Sequence, residues 1–327
     1  MKILIATKTL AVFDVLKDME GIECKEALFT GQIYDALPEV QLVIIDFGDV
    51  VEHPYDVEML KRVLTEKGVL FTSSEEFLAQ PDRWLAEARQ VKGELTRLPE
   101  KRTIAFVSYS GGTGKTTLAL DTALHFARRT KMPVMVVEFT YGVSSLAALT
   151  GLDMPHLFDL ATQLDVEATC WKGVTLAPMD YDHCQDLSVR QIGRYLEEQM
   201  EKHVLTIVDS RWPHGLIGAI QDEVDQWFVV ATPRVDAIEN ARKLQEELGP
   251  KASVIINRKG KLANSLALAG VERALDLPEI RQADRFEGHL GKQILSLTYG
   301  PKNWRRYEPK GFFARLGHRL APGGGRS

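Results

Sequence analysis

Cysteine is scarce in this 327-residue chain: Cys24, Cys170 and Cys184 are its whole supply, widely spaced and never in a C-x-x-C pair. An odd, sparse set excludes a disulfide framework and reads as reduced thiols, the cysteine usage of a cytoplasmic protein. Structural zinc needs more ligands than the adjacent His183-Cys184 supplies. Long apolar runs are missing as well. No stretch approaches the ~20 apolar residues that span a bilayer, and Met1–Phe13 (MKILIATKTLAVF) lacks the features of a signal peptide. A cytoplasmic location is the expectation. Nor is there an excess of one charge sign: the formal net charge is only −5, so no global field draws the chain to nucleic acid. An internal repeat of about 20–50 residues is absent too, which excludes a solenoid.

What is present is enough apolar material for more than one core, at 45% hydrophobic and 26% charged residues. Residues 1–88 read as a small α/β unit. Lys2–Ala6 (KILIA), Leu42–Phe47 (LVIIDF) and Gly68–Thr72 (GVLFT) are candidate strands with helical patterns between them, which favours a parallel sheet. Residues 89–102 are polar, rich in charge and broken by Pro99, a linker composition. From Thr103 strands and helices alternate again. Thr103–Val107, Pro133–Glu138, Val174–Ala177, Val204–Asp209, Trp227–Ala231 and Ser253–Asn257 are apolar strands. Between them Leu120, Ala123, Leu124 and Ala127 share a helix face. Val189, Ile192, Leu196 and Met200 form a stripe behind a Ser188/Gln191 capping box. A third stripe, Ile238, Ala241, Leu244 and Leu248, is stopped by Gly249-Pro250. Near-continuous apolar strands separated by helices predict a doubly wound parallel sheet over residues 103–299. The remaining residues, 300–327, form a basic tail ending in a Pro-Gly-Gly-Gly stretch.

The segment that carries chemistry is Ser110-Gly-Gly-Thr-Gly-Lys-Thr-Thr117, set between an apolar strand and a helix. Glycines let successive backbone N–H groups converge on one anion, which makes Gly111, Gly112, Thr113, Gly114 and Thr117 a phosphate cradle. Lys115 adds a mobile cation for the β- and γ-phosphates of a nucleotide, and Thr116 a hydroxyl for Mg²⁺. The competing reading is a glycine-rich turn that merely caps a helix. The ordinary form of this motif wants a glycine where Tyr109 stands. The sequence resembles instead the deviant phosphate loop of the ParA/MinD family of ATPases, and the likeness runs from Thr103 to about Leu297.

That resemblance implies ATP and Mg²⁺ as ligands and a homodimer closed across the nucleotide. It makes Asp209, at the end of an apolar strand, the acid that orients a water on Mg²⁺, and Lys115, Asp209 and Glu138 the catalytic candidates. Asn257-Arg258 is similar to the family's adenine-reading segment, the competing reading being a strand-terminal Asn that satisfies a turn, and Thr232-Pro233 matches a loop near the nucleotide, with Pro233 the candidate contact. Two departures touch hydrolysis more than binding. Ser110 stands where the family has a lysine that reaches across the dimer, and Thr140 where it has the acid that assists the attacking water. Arg211 either replaces that lysine or is simply solvated.

A receiver-like unit before such an ATPase resembles the layout of the TadZ/CpaE family, localisation factors for pilus secretion machines, so pilus or secretion components are the implied partners. Asp46 takes the position of a phospho-acceptor. The acids expected after the first strand are replaced by Ala6-Thr7-Lys8, so Mg²⁺ has too few hard oxygens there and the unit reads as a degenerate receiver used for contacts. In the tail, Phe312, Leu316 and Leu320 recur at four-residue spacing beside Phe313, with Arg315, His318 and Arg319 elsewhere. This is a helix for the inner membrane surface, giving a peripheral location, one docked on the ATPase unit, or one whose basic residues bind nucleic acid. The leading function is an ATP-switched positioning protein with slow or absent hydrolysis. A ParA-like DNA-partition ATPase is the alternative, with nucleic acid the weaker partner, and a metabolic enzyme lacks any second substrate motif.

Overall fold

The computed structural model describes residues 1–17, 19, 21–91, 99–163, 165–179, 188–258, 271, 273–279, 286 and 288–307. Their strands form two sheets. The first holds β1 (Lys2–Ala6), β2 (Glu23–Glu26), β3 (Leu42–Ile45) and β4 (Phe71–Thr72), all parallel, in the order β2-β1-β3-β4. This order matches the first four positions of the doubly wound 2-1-3-4-5 arrangement. β3 is buried at every position because both of its faces are covered. Leu42 and Ile44 pack with Leu16, Phe77 and Leu85 on one side, and Val43 and Ile45 with Met59, Leu60 and Val63 on the other. β2 escaped the sequence analysis for a physical reason: Glu-Cys-Lys-Glu has no apolar residue pattern, and its four exposed residues pair only along one edge.

β3 stops at Ile45, so Asp46 opens the loop at the carboxyl edge of the sheet. Hydroxyls surround it there. Thr7 donates to Asp46 and Asp49, and the Ser74 N–H donates to Asp46 at 3.0 Å. Burial would raise the Asp46 carboxyl, but hydrogen bonds from Ser74, Thr7 and Thr9 outweigh it and hold the group below its ordinary value.

The second sheet contains β5 (Arg102–Ser108), β6 (Val134–Phe139), β7 (Thr169–Trp171), β8 (Val174–Ala177), β9 (Leu205–Arg211), β10 (Gln226–Ala231), β11 (Ala252–Ile256) and β12 (Arg273–Asp276). Their order is β12-β11-β10-β5-β9-β6-β8-β7, parallel throughout except for the β7–β8 hairpin. β5 is the switch point. The chain leaves it for β6 and β9 on one side and later returns to β10 and β11 on the other. Neighbouring connections therefore diverge at the carboxyl end of β5 and open a crevice there.

The helix Lys115–Thr130 follows β5. A single apolar face was expected of it, yet it is buried on every side from Leu118 to Ala127. The sheet covers one side and the helix His289–Tyr299 the other. Asp121 joins the two helices, accepting from the N–H groups of Gly288 (2.7 Å), Leu290 (3.1 Å) and Gly291 (2.8 Å). These are orphan donors at a helix N-terminus, where a carboxylate also meets the favourable end of the dipole. Gly291 permits the approach, since a Cβ there would lie 2.5 Å from the Asp121 carbonyl oxygen. The Ser188/Gln191 capping box forms as expected at the start of helix Val189–Lys202. Ile192 and Leu196 are buried, but Val189 is exposed because it belongs to the first turn.

His203 closes that helix and is buried. Its Nδ1 lies 2.8 Å from the Gln199 carbonyl and its Nε2 3.1 Å from the Thr175 hydroxyl, an arrangement that fits the neutral ring with the proton on Nδ1. Burial pushes its pKa down to about 4. The unfolded chain therefore binds this proton first as pH falls, and the stability that the neutral ring supports is lost between the unfolded value of about 6.5 and about 4. His203→Gln should flatten the stability profile across that window, a difference on the order of 3 kcal/mol, measured by urea unfolding at pH 7 and pH 4.5. Parallel profiles for the two proteins would contradict this.

Candidate functional site

The crevice at β5 is built by the six residues between Ser108 and Lys115. Gly112 (φ +71°) and Gly114 (φ +91°) both take left-handed backbone, which glycine adopts without steric penalty. Gly114 is required for a second reason: a Cβ there would sit 2.4 Å from Asn257 Nδ2. Asn257 follows β11 and is only 6% exposed. Its amide donates to the Thr113 carbonyl at 2.8 Å, and its Oδ1 accepts the Arg258 N–H at 3.0 Å. The residue expected against adenine thus reaches the phosphate loop from behind, with both ends of its amide engaged. From the strand side, the Ser108 hydroxyl donates to the Ser110 carbonyl at 2.7 Å and lies 3.2 Å from the Thr113 hydroxyl. Lys115 Nζ donates to that same Ser108 oxygen at 2.8 Å.

Parallel register sets the acids. β6 and β9 pair so that Glu138 stands opposite Asp209, both almost fully buried. Burial, and then the Asp209 charge, push the Glu138 pKa up to about 7, against hydrogen bonds that pull it down. Glu138 accepts from the Ser144 hydroxyl and, at 2.8 Å, from the Ser145 N–H at the start of helix Ser145–Thr150. Burial also raises Asp209, while Lys115 and the Thr116 hydroxyl, which donates to it, act to lower it. For Lys115, burial lowers the ammonium pKa, Asp209 raises it, Arg211 lowers it and Glu138 raises it. Two buried carboxyls thus stand beside the half-buried Lys115 ammonium, with Arg211 on the wall of the same cleft, and a cation held between the acids would offset their charge. Hard oxygens from Thr116 and Asp209 in contact, beside that charge, are a donor set suited to Mg²⁺.

These groups open onto a cleft of about 440 Å³. Gly111, Gly112, Thr113, Gly114, Lys115, Thr116, Thr117, Glu138, Asp209 and Arg258 all line it, as do Thr140 and Arg211. Asn257 stands behind the loop. Pro233, just beyond β10, is half-buried and is not part of the lining. The carbonyl of Thr140 accepts from His214 Nε2 at 3.4 Å. The sequence analysis missed Ser108, whose hydroxyl organises the loop and Lys115. It also missed Ser144 and Ser145, which hold Glu138; the available signal was Ser144 itself, an N-cap serine six residues after the acid. Phe312, Phe313, Leu316 and Leu320, like His183 and Cys184, lie outside the described residues.

No protein-family model matches the chain, and no curated protein matches it in sequence. Among solved structures it is similar to a ParA family ATPase from Chlorobium tepidum TLS, with 18% identity over 64% of this chain and 94% of that one and a TM-score of 0.50. It is also matched to the septum site-determining protein MinD complexed with Mg-ADP from Pyrococcus horikoshii OT3. There the identity is 19%, the coverage 63% and 94%, and the TM-score 0.47. The cell division ATPase MinD of Pyrococcus furiosus gives 22% identity, coverage of 67% and 99%, and a TM-score of 0.47. Identities this low speak to fold alone. The sheet and helices that carry the cleft have the fold of the ParA family ATPase.

Proposed function

We propose that this chain binds ATP with Mg²⁺ in the cleft at the end of β5 and works as a nucleotide-switched positioning protein. The observation that carries the reading is the convergence of the glycine loop, Lys115, Thr116 and Asp209 on one crevice at the switch point of a doubly wound sheet. Loop amides and Lys115 would bind the phosphates. Thr116 and, through water, Asp209 would hold Mg²⁺, which when bound neutralises phosphate charge. Arg258 lies at the cleft wall, and Asn257, the neighbour that holds the loop, couples that wall to it. Exchange of the Asn257 amide from Thr113 to a purine edge is one way for nucleotide to be sensed.

The switch is read as a homodimer closed over nucleotide, and its cargo as pilus or secretion components, on the strength of the receiver-like layout before the ATPase unit. Two features support contact rather than signalling for the first unit: Asp46 is already satisfied by Thr7 and Ser74, and Thr7 stands where a metal site needs an acid. For the tail, residues 300–327, the inner membrane surface is taken as the partner of Phe312, Phe313, Leu316 and Leu320.

Lys115→Ala removes a charge-assisted phosphate contact, a kind that contributes roughly 1.5–3 kcal/mol. By calorimetry ATP should bind the variant at least about tenfold more weakly while circular dichroism is unchanged. Equal affinity would move the nucleotide site elsewhere. Turnover is expected to be very slow, because Thr140 offers no carboxylate to orient water and Ser110 no cation, and one such transition-state contact typically carries about 10²–10³ in rate. A phosphate-release assay on the wild type and on Thr140→Asp checks this. Brisk wild-type turnover, lost in Lys115→Ala, would show that another group does that work.

A further inference from the structure

Arg211 ends β9 two residues beyond Asp209, so the two side chains leave the strand on the same face. Its partner across β5 is Ser108, the residue at which the phosphate loop begins. The side chain is exposed and lines two adjoining spaces: the phosphate cleft, and an open groove of about 570 Å³ formed with Tyr109, Tyr141, Trp212 and Pro213. Among the described residues its guanidinium has no ion pair and no hydrogen bond. Arg258, on the wall of the same cleft, is likewise without a side-chain partner among the described residues, whereas Arg234 pairs with Asp236, and Arg242 with Glu239 and Glu246. The acids nearest to Arg211 in the chain and sheet, Asp209 and Glu138, are buried and engaged with Thr116, Ser144 and Ser145.

We propose that Arg211 binds the terminal phosphate of the nucleotide from within the same chain. The inference rests on the reading of the cleft as an ATP site. Arg211 is exposed, but it lines the same cleft as Lys115, and its charge works against the lysine's. Two cations with no anion between them repel, and an anion bound between them removes that penalty. Phosphate suits the pair because a guanidinium fork meets two of its oxygens at once. Which phosphate follows from the base position taken in the proposed function. Asn257 and Pro233 lie on the β10–β11 side of the loop, and Glu138, Asp209 and Arg211 on the β9–β6 side. A nucleotide with its base on the first side extends its phosphate tail toward Arg211.

The test is calorimetry of the full chain with Mg²⁺ and either ADP or a non-hydrolysable ATP analogue, on wild type, Arg211→Ala, Arg211→Lys and Lys115→Ala. Arg211→Ala should weaken the analogue about tenfold or more and leave ADP affinity unchanged, with Arg211→Lys between. An unchanged ratio of analogue to ADP affinity in Arg211→Ala would overturn the proposal while Lys115→Ala still loses both ligands. If wild type binds neither ligand, or Lys115→Ala binds both as wild type does, the ATP reading falls and takes the proposal with it.

Discussion

Two carboxyls buried side by side, Glu138 and Asp209, beside the half-buried ammonium of Lys115, are the constraint around which the second sheet is arranged. Adjacent parallel strands place the acids level with each other, and the helix after the glycine loop brings Lys115 and Thr116 beneath them. Like charges this close in a low-dielectric setting are unfavourable unless one is neutral or a cation intervenes. The surroundings make local amends: Ser144 and Ser145 donate to Glu138, Thr116 to Asp209. They do not remove the crowding of the two acids, which a cation held between them would relieve.

The loop itself is held from two directions, by Ser108 on its own strand and by Asn257 from β11 across the switch point. The second contact explains why Gly114 has no side chain and why the ends of β5 and β11 are mechanically coupled. A ligand that drew the Asn257 amide away would leave the Thr113 carbonyl without this partner. The phosphate loop and the base side of the cleft would then respond together.

The phosphate loop, its flanking strand and helix, and the acid-ended strands were legible because each has a local signature: glycines at fixed offsets, apolar runs, a carboxylate at a strand end. The capping box at Ser188 was legible for the same reason. What could not be read lies in tertiary geometry. β2 has no apolar pattern because it borrows its stability from backbone pairing with β1. The helix Lys115–Thr130 was expected to show one buried face because nothing local announces that Asp121 will cap a helix some 170 residues away. Asn257 was assigned a ligand from the likeness of Asn257-Arg258 to an adenine-reading segment, and only the folded arrangement shows that its amide reaches Thr113. The standing of Glu138 opposite Asp209 follows from strand order, which periodicity does not encode.

The claim that the two buried acids strain against each other unless a cation is bound is tested most directly by comparing the wild type with Glu138→Gln in thermal unfolding at pH 5.5 and pH 8, without ligand and with Mg²⁺ and ATP. Glu138 holds its proton in the folded state up to about pH 7 but loses it near 4.5 when unfolded, so its contribution to stability is complete below about pH 4.5 and is lost as pH rises through about 7. Without ligand, the wild type should therefore lose ground to Glu138→Gln between pH 5.5 and pH 8, and Mg²⁺ with ATP should restore the wild type most at pH 8. A wild-type-to-variant difference that is the same at both pH values, and is untouched by Mg²⁺ and ATP, would contradict the account.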